Sequence, residues 1–188
     1  MKKNITEILK KYLEYYANER ERQSKLIEYL EKNDDNQITD WNNFNGHIVA
    51  SGIIYSRKNR KFLVMYHKDM KRYIYSGGHI DKEDNNPLET AIREINEETG
   101  IDNLKLVKVT DNELLPFDID TQVINYNERL NLPQHVHFDF RYLFEVDDIS
   151  NVEIDNEEMS NYKWIEKEKF YDDFKEMSNK IEHILKNR

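Results

Sequence analysis

The thirteen residues between Asn86 and Gly100 constrain this chain most, because they read as a helix that gathers acid on one side. Asn86 suits an N-cap, Pro87 the first turn, Glu89 the third helical position and Gly100 the C-terminal exit. Leu88, Ala91, Ile92 and Ile95 cluster on one side, which predicts a face packed on a sheet. Glu94, Glu97 and Glu98 stand at i, i+3 and i+4 and share another side. Four residues beyond each of them come Glu98, Ile101 and Asp102, with no lysine or arginine. Like charges at that spacing repel. A hard divalent cation such as Mg²⁺ relieves the repulsion, binding through carboxylate oxygens and keeping positions for water and phosphate. An acidic helix face is more often merely solvated. What favours a site is Gly77-Gly78, directly after a strand-like run, where backbone can approach a ligand closely.

Around this helix the hydrophobic period changes along the chain. Ile5, Ile8, Leu9, Tyr12, Leu13 and Tyr16, then Leu26, Ile27, Tyr29 and Leu30, predict two opening helices that end at the polar run Asn33 to Asn36. His47 to Ser56 and Arg60 to His67 read as strands joined by a turn near Lys58-Asn59, followed by a short strand over 72–75. Further strands are expected in LKLVKVT (104–110), DIDTQVI (118–124), HVHFDFRYLFEV (135–146) and Asn161 to Ile165. Phe170, Phe174, Met177, Ile181 and Leu185 mark a C-terminal amphipathic helix. Mixed strands and helices of this kind predict an α/β chain with a mixed sheet sandwiched by helices. The division expected is a helical extension over 1–40 and one domain over 41–188.

Composition narrows the chemistry. The 188 residues contain no cysteine, which excludes disulfides, thiolate metal sites and cysteine nucleophiles and gives no sign of an oxidising compartment. No secretory leader follows Met1, and eighteen apolar residues nowhere run together, so a cytoplasmic protein without a membrane span is expected. The net charge of −9 opposes strong nucleic-acid binding. A polyanionic small molecule would need a basic pocket or a bound metal here.

The stretch GGHIDKEDNNPLETAIREINEETGI, Gly77 to Ile101, resembles the Nudix box: Gly, five residues, Glu, seven residues, then Arg-Glu-apolar-x-Glu-Glu-x-Gly-apolar. Arg93, Glu94, Ile95, Glu97, Glu98, Gly100 and Ile101 all fall in place. The first half departs from the pattern. Asp84 stands where Glu is usual, and eight residues separate it from Arg93, as if one residue were inserted within Asn85-Asn86; Glu83 competes for the same role. The resemblance implies an α/β/α sandwich and hydrolysis of a nucleoside diphosphate linked to a further group. It implies that Glu94, Glu97 and Glu98 hold Mg²⁺ or Mn²⁺ with help from the Gly77 carbonyl, and that Gly78 borders the substrate. Arg93 would orient the acids by pairing with Asp84 or a glutamate, and Glu94 is the first choice as general base. In similar proteins a carboxylate from a late loop also reaches the metal; Glu157 and Glu158, before Trp164, are the candidates, against an exposed acidic turn.

His135, His137, Asp139 and Arg141 alternate with apolar residues, as on a half-buried strand. Either this polar set faces water or it lines the cleft, with Arg141 gripping phosphate and a histidine donating hydrogen bonds or sharing base duty. Histidines at i and i+2 can also bind a transition metal, although the sequence shows no firm third ligand. Together with GHIVAS (Gly46 to Ser51), the segment is similar to a bacterial Nudix subgroup carrying an N-terminal helical extension, an arm that could serve a homodimer. Trp41, Phe44, Tyr73 and Tyr75 are candidates to stack on a base, but packing is the commoner use of aromatics. Pro116 lies near where ADP-ribose-cleaving relatives keep a proline. The competing function is a Nudix-like module that senses a nucleotide without cutting it, favoured only by the altered first half of the box. An isomerase of related fold that needs a catalytic cysteine is excluded.

Overall fold

The computed structural model describes residues 1–126, 128, 131–147, 149 and 152–187. The chain opens with α1 (Lys2–Tyr15), α2 (Ser24–Lys32) and a short α3 (Asp35–Thr39). The polar run after α2 starts a helix instead of only ending one. Asp34 accepts from the backbone of Asn36 and Gln37, and the Gln37 side chain returns the bond, so the run is a capping box for α3.

Eight strands form one mixed sheet: β1 (His47–Ser56), β2 (Lys61–His67), β3 (Arg72–Ile74), β4 (Ser76–His79), β5 (Lys105–Leu106), β6 (Asp118–Ile124), β7 (His135–Val146) and β8 (Met159–Glu166). β1 is central. It pairs in parallel with β7 on one side, and antiparallel with β4 and then β2 on the other. β6 and β5 extend the sheet beyond β7, and β3 and β8 flank β2. The expected strand at Arg60 begins one residue later, because Arg60 takes a left-handed φ of 56° in the turn. Of LKLVKVT only Lys105–Leu106 forms a strand. Beyond it the side chains of Thr110 and Asn112 accept from backbone N–H groups and fold the chain into turns.

The two faces of the sheet carry two apolar clusters, as the alternation along β1 and β7 requires. Ile48, Ala50 and Ile54 of β1, with Phe138, Phe140, Tyr142 and Phe144 of β7, pack against α4 (Pro87–Thr99) and against Ile5, Ile8, Tyr12, Leu26 and Leu30 of α1 and α2. The N-terminal helices therefore share one core with the sheet. A Cβ on Gly52 would lie 2.8 Å from Ile95 Cγ1, so glycine lets α4 sit tightly on β1. On the opposite face Ile53, Phe62 and Leu143 pack against Phe170, Met177 and Ile181 of α5 (Lys167–Asp173) and α6 (Lys175–Lys186). The C-terminal segment is thus two helices where one was expected. Phe174 leaves helical geometry (φ −128°, ψ 58°), stays 4.7 Å from the Phe170 ring and meets Tyr75 at 5.3 Å. No helix among the described residues is long and apolar enough to cross a membrane.

Candidate active site and its carboxylates

α5 and α6 cover only part of their face of the sheet. The remainder is a cleft of about 840 Å³ floored by β1, β4, β6 and β7. Its polar floor is the other half of the alternation that builds the apolar clusters: Ser51 on β1, Asp139 and Arg141 on β7, and Gly77 on β4.

α4 delivers the acids. Its N-cap is Asn86, whose side chain accepts from Glu89 N, and Gly100 closes it with φ 67°, as its residue types require. Glu94, Glu98 and Arg93 reach the cleft from this helix, and Glu158 reaches it from the loop before β8. Glu97 points to the rim, half exposed, and is held there by Arg93 at 2.9 Å. Glu157 is exposed and is not part of the cleft lining.

Glycine at 78 is a steric condition of this arrangement. A Cβ there would come within 2.5 Å of Glu94 Cδ, so the carboxylate lies where a side chain would otherwise stand. Gly77 donates its N–H to Glu98 Oε2 at 3.2 Å, and Ser76 Oγ bonds the same oxygen. Both glycines belong to strand β4 and do not form a turn after a strand.

Arg93 ties the site together. Its guanidinium bonds Asp84 through Nε and Nη2, Glu94 and Glu97 through Nη1, and the His79 carbonyl through Nη2. Asp84, which also accepts from Thr90 Oγ1 and Asp81 N, is the acid that meets Arg93; Glu83 is exposed. Burial alone would raise the Asp84 carboxyl, yet these bonds hold it below its ordinary value. The expectation of glutamates without a cation is corrected here, since Arg93 compensates Glu94 and Glu97 in part.

Glu98 has no such partner. It is 8% exposed, and it accepts from a neutral hydroxyl and a backbone amide. Burial pushes its carboxyl up to about 8 against the Ser76 bond, with Glu94 and Glu158 adding repulsion. Burial also raises Glu94. The buried Glu98, the half-buried Glu94 and the exposed Glu158 offer carboxylate oxygens from two elements, a donor set that fits a hard divalent cation.

Of the polar face of β7, His137, Asp139 and Arg141 line the cleft, whereas His135 is buried outside its lining. Arg141 is 1% exposed, and its three nitrogens bond Asp139 (2.9 Å), Asp118 (3.0 Å) and Asp120 (2.8 Å). A guanidinium so occupied is poorly placed as a phosphate clamp. Asp118 is bonded in turn by Arg22 and Lys180, which joins the sheet to the N- and C-terminal helices. His135 and His137 lie with Nε2 atoms 3.0 Å apart. They meet His47 and His79, neither of which stood out in the sequence, because each is a single histidine in a strand. Trp41 is exposed at the cleft edge and Tyr75 lies in the cleft beneath Arg141, whereas Phe44 packs by His135, and Tyr73 by Tyr66. Pro116 is buried ahead of β6 and is not part of the cleft lining.

Comparison with known proteins agrees with this architecture. A family model described as NUDIX domain matches residues 46–187. A curated protein of Lactococcus lactis subsp. cremoris, "Probable DHNTP pyrophosphohydrolase", is 32% identical over 132 residues, covering 70% of this chain and 73% of its own. Among solved structures, a NUDIX-family hydrolase from Clostridium perfringens aligns with TM-score 0.53 at 26% identity, over 67% of this chain and 85% of that one. The C. elegans Ap4A hydrolase in a binary complex aligns with TM-score 0.58 at 20% identity, over 75% of this chain and 98% of that one.

Proposed function

We propose that this chain, which belongs to the Nudix family and is a pyrophosphohydrolase by type, cleaves a diphosphate linkage in a nucleotide-like small molecule with a divalent metal, Mg²⁺ or Mn²⁺. The observation that carries the reading is the buried Glu98 carboxylate, gathered with Glu94 and Glu158 in one cleft and lacking a cation of its own. In this reading Glu98, Glu94 and Glu158 hold the metal, and Glu97 joins them from the rim. Once bound, the cation would polarise a phosphoryl oxygen and lower the pKa of a water for in-line attack on phosphorus.

The remaining roles belong to the chain itself. Arg93, anchored on Asp84, fixes the side chains of Glu94 and Glu97, and Gly78 leaves the space that Glu94 fills. Glu94 takes the water proton on its carboxylate, whose proton affinity burial raises. Gly77 and Gly78 present a strand without side chains to the substrate. Trp41 and Tyr75 supply aromatic surface for a base or another flat ring. The setting proposed is the cytoplasm.

The test is a screen of nucleoside diphosphate derivatives, Ap4A and DHNTP included, with Mg²⁺ and with Mn²⁺ in ¹⁸O-water. A cut substrate with label on a product phosphate supports the proposal. Label on carbon overturns attack at phosphorus. Tight binding of an unaltered nucleotide with either metal would make the chain a sensor instead.

A further inference from the structure

Among the described residues, three imidazoles come close enough together to hold a metal ion. His47 on β1 is in parallel register with His137 on β7, and His79 on β4 stands opposite Val49 on the other side of β1. Since side chains alternate across a strand, this register puts all three rings on the same face of the sheet. One ligand atom from each lies within 4.8 Å of the others.

The hydrogen bonding assigns lone pairs to His47 Nε2 and to His137 Nδ1. His47 is fully buried, and its Nδ1 faces the Asn43 carbonyl at 3.4 Å. A carbonyl only accepts, so Nδ1 carries the proton and Nε2 the lone pair. That Nε2 is buried without a hydrogen-bond partner. An orphaned buried acceptor costs free energy unless something satisfies it. His135 donates Nδ1–H to the Pro133 carbonyl at 2.7 Å, so its Nε2 accepts from His137 at 3.0 Å and orients that ring.

We propose that His47, His79 and His137 form a second metal site, for a divalent transition ion of the Zn²⁺ class, in the cleft wall beside the carboxylates. Neutral imidazole selects borderline ions such as Zn²⁺, Co²⁺ and Ni²⁺, whereas carboxylates suit Mg²⁺ and Mn²⁺. The two clusters thus differ in the ion they take. A tetrahedral ion with bonds of about 2.0–2.1 Å needs nitrogens roughly 3.4 Å apart, which modest side-chain rotations supply, mainly at the exposed His79. Three ligands leave a fourth position, and His79 and His137 both line the cleft, so that position opens towards it. Strand neighbours hold His47 and His137, which limits the reorganisation that binding needs. The site does not depend on what the carboxylates hydrolyse.

The experiment is Co²⁺ titration of the metal-free protein in excess Mg²⁺, read by visible absorption and calorimetry. The expected result is one Co²⁺ per chain with the bands of a nitrogen-bound, low-coordinate ion. His137→Ala and His79→Ala should each weaken it by about tenfold or more, and Glu98→Gln should leave it unchanged. His79 is exposed, so His79→Ala decides the matter if the other variant does not fold. Absence of Co²⁺ binding in excess Mg²⁺ overturns the site. So does binding that Glu98→Gln abolishes and His79→Ala does not.

Discussion

Arg93 Nη2 lies 3.0 Å from Asp84 Oδ2, and the same guanidinium holds Glu94, Glu97 and the His79 carbonyl. Arg93 thus pairs with Asp84, the acid of the loop before α4, and through it ties that loop to the helix glutamates. Asp84 also accepts from the Asp81 N–H of its own loop and from the Thr90 hydroxyl of α4, so the pair is built on both sides.

Asp84→Asn should lower turnover, and Glu83→Gln should leave it nearly unchanged. A double-mutant cycle with Arg93→Ala should give a coupling of roughly 0.5–3 kcal/mol for Asp84 and none for Glu83. Coupling to Glu83 would place the extra residue elsewhere in the loop.

The Glu98 carboxyl predicts a stability profile for the metal-free protein. Folded Glu98 keeps its proton up to about pH 8, against an ordinary value of 4.5. Between those values the native state binds more protons than the unfolded chain, so stability falls as pH rises through that window. Glu98→Gln should flatten this slope in urea unfolding with EDTA present. Mg²⁺ should stabilise the wild type at neutral pH, by about 2.7 kcal/mol at a hundred times its Kd, and the variant much less. Equal stabilisation of both would remove Glu98 from the metal site.

Gly78→Ala tests the packing of the site without touching an acid. The added Cβ overlaps the Glu94 carboxylate, which has to move aside. Because a displacement of about 1 Å at a reacting group can cost on the order of 10²-fold, kcat should fall by about that factor while thermal stability changes little. Unaltered kcat would show that Glu94 does not have to occupy this position.

Arg141→Ala distinguishes a structural cation from a substrate clamp. Three aspartates lose their shared partner inside the protein. Breaking a buried ion pair costs about 3–5 kcal/mol, so the unfolding midpoint should drop sharply. A clamp would instead raise KM at unchanged stability.

What the amino-acid order determined by itself is what near neighbours decide. The period and caps of 86–100, the strands at 47–56 and 135–146, and the pattern Arg93-Glu94 to Glu97-Glu98 depend on residues a few positions apart, and they are legible as such. Capping against continuation is a finer local choice, and at Asp34 it turns on Gln37, whose side chain returns the bond. The family was readable for the same reason: its signature is a short contiguous stretch. The partners of buried charge were not readable. Arg141 looked free on a polar strand face, and only the pairing of β6 with β7 put Asp118 and Asp120 beside it. The four histidines at 47, 79, 135 and 137 carry no common spacing, and the register of three strands brings them into one group. Sheet pairing joins residues without regard to their separation along the chain, so composition and period predict which faces are polar, and tertiary structure alone decides which polar groups meet.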